Sequence, residues 1–174
     1  MAAAPPVNAT AAALLGLLHD GPRTGGELVA AAGEQFGSFF SVTRSQIYRE
    51  LPALAEAGLT KPGEPGARAS RKYAITAAGR RAFRAWLTAS SGPDALRSPL
   101  VLRLLHAEIL PPEEREELVR NARAAYKERL AAERAAVKAA ADPVRRAVAE
   151  FTVAHTRAVL KLLDAVSDAW GPSA

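Results

Sequence analysis

The chain has no cysteine among its 174 residues, which excludes disulfides and thiolate metal sites and fits a reducing compartment. It also has no long apolar run. The longest, Ala9 to Leu18, stops at His19-Asp20 and is too short to span a bilayer. That run has no cationic flank, so it does not read as a secretory signal. Tandem repeats and low-complexity segments are missing. So are a Gly-rich phosphate cradle, a His-Glu-x-x-His pair, a nucleophile elbow and paired carboxylates outside helix N-termini, which argues against an enzyme. His19, His106 and His155 are scattered without a partner at metal spacing, and no metal or cofactor is expected. The absences leave a soluble, cytoplasmic, non-enzymatic protein that does not contact membranes.

Half the residues are apolar, but many of those are alanine, which helices tolerate best and strands use poorly. A mostly α fold follows, with enough chain for one domain or two small ones. The net charge of +5 is unevenly placed. Residues 1–90 hold ten Lys/Arg against six Asp/Glu, and residues 91–174 hold thirteen against twelve. Seven cations lie between Lys61 and Arg84, with Glu64 the one acid among them. Such a patch suits a surface that tracks phosphates, since each neutralised phosphate releases counterions. The competing reading is a solvated charged loop.

Residues 1–9 read as a flexible tail, 10–90 as one domain and 91–174 as a second, with the boundary near Ser90-Ser91-Gly92-Pro93. A first helix over about Thr10–His19 ends at Asp20-Gly21-Pro22. Thr24 and Glu27 have capping-box spacing for a second helix, although Gly25 and Gly26 weaken its first turn. Thr43 and Gln46 repeat the spacing and open a third. There Ile47, Leu51 and Leu54 fall on one stripe, while Ser45, Tyr48, Arg49 and Pro52 face roughly opposite. Gly58 fits the left-handed position after that helix, with Leu59 folding back. Leu59–Lys61 and Arg71–Ile75 are strand signals joined by a long Gly/Pro hairpin, and Tyr73 and Ile75 share its core face. Thr76 caps a fourth helix.

The second half reads as three helices. Pro99–Ile109 is strongly apolar. A second runs from Pro112 to about Ala141 with a thin seam of Leu118, Ala122, Tyr126, Leu130 and Val137. The last carries Val148, Phe151, His155, Val159, Leu162, Val166 and Trp170 as one long stripe, in which His155 reads as a packing residue. Helices with narrow seams need neighbours, from their own chain or another.

Helix, cationic hairpin and strand in this order match a winged helix, which puts one helix in the DNA major groove and its basic loop against the backbone. The segments ALLGLLHDGPRTGGEL, SQIYRELPALAEAGL and SRKYAITAAGRR resemble the PadR family of transcriptional regulators over about residues 11–87. SPLVLRLLHAEILPPEEREELV and EFTVAHTRAVLKLLDAV resemble that family's helical C-terminal domain more loosely. The resemblance implies an N-terminal winged helix-turn-helix with a small β-hairpin wing, followed by an all-α dimerisation domain. It also implies a homodimer formed through the C-terminal helices, repression from an inverted repeat in double-stranded DNA, and release by a small-molecule effector.

Two departures stand out. Thr24-Gly25-Gly26 replaces a frequent His-Gly-Tyr, so one ring is missing. Pro52 sits inside the recognition helix, where it removes a hydrogen bond and crowds the Tyr48 carbonyl.

The expected DNA contacts are Thr43, Arg44, Ser45, Gln46, Tyr48 and Arg49 on the third helix, with Arg68, Arg71 and Lys72 in the wing. Arginine can grip guanine, and glutamine adenine, with two hydrogen bonds; wing cations position the protein without specifying sequence. Thr43 and Gln46 have a competing role as cap partners, and Tyr48 as a packing residue. Trp86 and Trp170 are expected to anchor the dimer core, an effector pocket being the other role open to them. A winged helix used for protein interaction, without sequence-specific DNA binding, is the alternative function.

Overall fold

The computed structural model describes residues 7–37, 39–66, 70–90 and 92–171. They fall into two compact units that divide after Pro93. Among these residues no helix is long and apolar enough to cross a membrane.

The first unit begins with α1 (Ala9–Leu17), where the Asn8 side chain accepts from the Ala11 N–H at 2.8 Å. Asn8 and Ala9, expected in the tail, thus belong to the helix start, and Val7 already packs on the core. Residues 1–6 of that tail lie outside the described residues. A 3₁₀ turn over Leu18–Asp20 ends the helix. Helix α2 (Gly25–Phe36) starts at the expected capping box: Glu27 Oε2 accepts from the Thr24 N–H at 2.6 Å, and Thr24 Oγ1 accepts from the Glu27 N–H at 3.2 Å. Helix α3 (Arg44–Glu56) runs through Pro52 and buries Ile47, Leu51 and Leu54. These three close on Leu14, Leu15, Leu18 and Leu28 to form the core.

Helix α3 ends as its residues dictate. Gly58 has φ 71°, the Gly58 N–H reaches the Ala55 carbonyl and the Leu59 N–H reaches the Leu54 carbonyl at 2.8 Å. That pair of bonds is a Schellman motif, and it buries Leu59. The chain continues into β2 (Thr60–Pro62), then β3 (Lys72–Ile75) and α4 (Ala77–Thr88).

The sheet holds a strand absent from the sequence reading. β1 (Arg23–Thr24) pairs antiparallel with β3, Arg23 opposite Tyr73 and Thr24 opposite Lys72, so the order is β1-β3-β2. Two residues carry no periodicity; the strand exists because the wing returns beside them. Pro62 is accommodated because β2 is an edge. Tyr73 and Ile75 pack against the core.

The α2 capping box makes a pH prediction. The Thr24 N–H donating to the Glu27 carboxylate holds that group below the ordinary 4.5, helped by the Thr24 hydroxyl and then by Lys72 and Arg23. A carboxylate depressed in the native state stabilises fully above its unfolded pKa, and the contribution fades as pH falls through the native value. Glu27→Ala is expected to lower the melting temperature at neutral pH and hardly at all in strong acid. Equal losses at both would show that the charge is not the cause.

The second unit contains α5 (Pro99–Leu105), a 3₁₀ turn over Ala107–Ile109, α6 (Pro112–Ala139) and α7 (Pro143–Trp170). The helix expected over Pro99–Ile109 therefore breaks at His106. α6 and α7 pack as an antiparallel hairpin, with Arg123 and Asp164 paired across it at 2.8 Å. A core of Leu104, Val119 and Leu163 is joined by Leu118, Ala122, Val159, Val166 and Trp170.

The long stripe of α7 divides. Its Val159, Val166 and Trp170 pack against the core of this unit, while Val148 (38% exposed), Phe151 (63%) and Leu162 (36%) stay in solvent; the buried positions of the helix, Thr152, Val153, Thr156 and Leu163, lie off the stripe. The wide apolar arc of this helix exceeds what one neighbour can cover.

Candidate nucleic-acid interface

The first turn of α3 arranges the polar residues expected to meet DNA. Gln46 Oε1 accepts from the Thr43 N–H at 2.8 Å and from its hydroxyl at 3.0 Å, and Thr43 Oγ1 accepts from the Gln46 N–H at 3.2 Å. The carbonyl oxygen of the Gln46 side chain is thereby engaged. Ser45 Oγ lies 3.4 Å from Thr43 Oγ1. Arg44, Ser45 and Arg49 are exposed, and among the described residues no carboxylate pairs with Arg44, Arg49, Arg71 or Lys72. A cation outside a close ion pair keeps its charge available to an incoming anion.

Tyr48 connects these elements. Its ring lies against Gly25 so closely that a Cβ there would come within 2.9 Å of the ring Cζ. Arg44 carries its guanidinium over the same ring, 5.4 Å from the centroid. Beside the ring opens a depression of about 490 Å³ whose lining includes Gly25, Gly26, Pro52, Arg71 and Tyr73. A Cβ on Gly26 would find only Thr24 Oγ1, at 4.0 Å, so no ring fills the space there. The depression brings Tyr48 and Arg71 together. Lys72 stands opposite Thr24 in the sheet, close enough to act on Glu27. Arg49 is exposed without lining this space, and Arg68 lies outside the described residues. Sequence reasoning missed Gly25, Gly26, Pro52 and Tyr73 as its lining; the paired glycines were the available signal.

On the α1–α4 side of the same unit lies a smaller pocket of about 240 Å³, walled by Phe36, Phe39, Phe40, Phe83 and Trp86. The Phe83 and Trp86 rings stack at 10° with centroids 6.3 Å apart. Trp170 instead packs in the second unit, with Arg115 5.7 Å from its ring centroid. Two of the three histidines are engaged locally: a His19 ring nitrogen lies 2.8 Å from the Leu15 carbonyl, and His155 stacks on Phe151.

Residues 14–85, covering every element from α1 to α4 but its ends, match the transcriptional regulator PadR-like family. The chain's first unit thus carries the match to the PadR-like family. That is a family of transcriptional regulators and not of enzymes. The negative transcriptional regulator PadR of Bacillus subtilis is 27% identical over 113 residues, which are 63% of this chain and 62% of that protein. The crystal structure of Bacillus subtilis PadR with operator DNA superposes with a TM-score of 0.73 at 22% identity, covering 93% of this chain and 98% of the other. Its complex with p-coumaric acid gives 0.67 at 21% identity, covering 98% and 100%. These likenesses show a shared PadR-like fold, a winged helix followed by long C-terminal helices, as the sequence reading expected.

Proposed function

We propose that this PadR-like protein is a homodimeric, sequence-specific DNA-binding repressor that holds an inverted repeat and is released by a small-molecule effector. The observation that carries the reading is the surface of the first unit. Arg44 and Arg49 on α3, with Arg71 and Lys72 at the wing base, stand exposed and, among the described residues, outside any ion pair, in a fold whose third helix enters the major groove. Thr43, Ser45, Gln46, Tyr48 and Arg68 complete the contact set. The PadR-like family match over residues 14–85 and the operator-bound Bacillus subtilis PadR support it. The uncovered apolar face of α7 supports pairing through the C-terminal helices. The aromatic pocket beside Trp86, together with the p-coumaric acid bound by Bacillus subtilis PadR, supports an aromatic effector.

The test is selection of bound sequences from a random DNA pool, followed by salt titration. A short pseudo-palindrome with half-sites about one helical turn apart is the expected product. Arg71→Ala with Lys72→Ala should weaken binding uniformly across sequences and reduce the salt slope by about two. No enrichment over random DNA, with unchanged function in those variants, would favour a protein-interaction module.

A further inference from the structure

We infer that Arg44 is the guanine-reading residue of the recognition helix and that Tyr48, seated on Gly25, is the positioning residue that aims it. The inference rests on the DNA-binding reading and adds to it the base, the reader and the device. Three of the polar side chains at the start of α3 hydrogen-bond or approach one another: Thr43, Ser45 and Gln46. Arg44 is different. Among the described residues its guanidinium has no hydrogen-bond or ion-pair partner, and its one recorded contact is the Tyr48 ring, 5.4 Å from the centroid. All its donors therefore remain available.

Two-point recognition of guanine O6 and N7 needs a guanidinium held in a defined plane. An exposed arginine samples many rotamers, and a ring beneath it restricts them. The ring is itself fixed. Gly25 is buried, and its missing side chain is the space Tyr48 occupies, since a Cβ would approach Cζ to 2.9 Å, Cε1 to 3.0 Å and the hydroxyl to 3.2 Å. The start of α2 thus sets the ring, and the ring sets the arginine. Arg44 is also the first residue of α3, the end of a recognition helix that meets base edges.

The experiment repeats the pool selection with wild type, Arg44→Lys, Tyr48→Phe, Tyr48→Ala and Gly25→Ala, alongside thermal melts. Wild type is expected to select guanine at one position in each half-site. Arg44→Lys, which keeps the charge but loses the fork, should lose about 10- to 100-fold of that discrimination with an unchanged salt slope. Tyr48→Ala and Gly25→Ala should lose preference at the same position alone, and Tyr48→Phe should retain it. Uniformly weaker binding by Tyr48→Ala, with every base preference intact, would overturn the positioning role. A guanine preference that survives Arg44→Lys would overturn the assignment of the reader while leaving the DNA-binding reading in place. A flat wild-type profile would remove that reading, and this inference with it.

Discussion

Phe151→Glu is expected to convert the proposed dimer to a monomer and to weaken binding to the proposed inverted repeat by about 10²- to 10⁴-fold. Phe151 is 63% exposed on α7, flanked at helical spacing by Val144 (71%) and Val148 (38%), with Leu162 (36%) further along. An apolar band of this kind on a helix whose other side already packs against α6 is the signature of a missing neighbour. A carboxylate in the middle of such an interface would be desolvated without a partner, which an association of this type does not survive. The loss of DNA affinity follows from linkage: two modules on one scaffold gain about 10²–10⁴ over one, because the second half-site is met at high effective concentration. Light scattering and operator titration read the two consequences separately. Because the position is exposed, the variant should keep its helical content. A dimer that persists in Phe151→Glu would remove this face from the interface.

Gly79→Ala is expected to destabilise the first unit by about 3 kcal/mol, a fall in melting temperature on the order of 15 °C for a domain of this size. The added methyl would collide with the Leu59 carbonyl oxygen and stand 2.9 Å from a carbon of Ile75. That carbonyl cannot retreat, since it accepts from the Thr76 N–H at 3.0 Å and from the Thr76 hydroxyl at 3.1 Å. Thr76 Oγ1 in turn accepts from the Gly79 N–H at 3.0 Å and caps α4. One turn of helix is thus pressed directly onto the backbone leaving the α3 Schellman motif. Gly33→Ala is the control: it sits inside α2 with nothing within 4 Å of its added Cβ, so the same methyl should stabilise by about 0.5–1 kcal/mol. Similar melts for the two variants would show that the close approach at Gly79 carries no cost.

Contacts within one turn of chain and contacts between distant segments differ in how far residue order specifies them. Both capping boxes, the left-handed Gly58 and the Thr76 cap were legible because each is a bond between residues three to five apart. Their geometry follows from residue type and spacing before any tertiary contact exists. The stripe of Ile47, Leu51 and Leu54 was legible for the same reason, since a helix puts them on one side wherever the core lies.

Long-range contacts followed no such rule. β1 is a strand because Tyr73 and Lys72 arrive opposite Arg23 and Thr24; alone, the two residues carry no strand signal. Gly25 reads locally as a weak helix start, and only the approach of Tyr48, 23 positions away, turns it into a seat for a ring. The α7 pattern showed one continuous stripe, whereas the fold buried Thr152, Thr156 and Leu163 off that stripe and left Phe151 outside. Periodicity marks which residues avoid water but not which neighbour covers them. Local hydrogen bonds, helix caps and charge placement were therefore written in the residue order, while the third strand, the Tyr48 seat and the bare face of α7 were settled by which distant segments met in space.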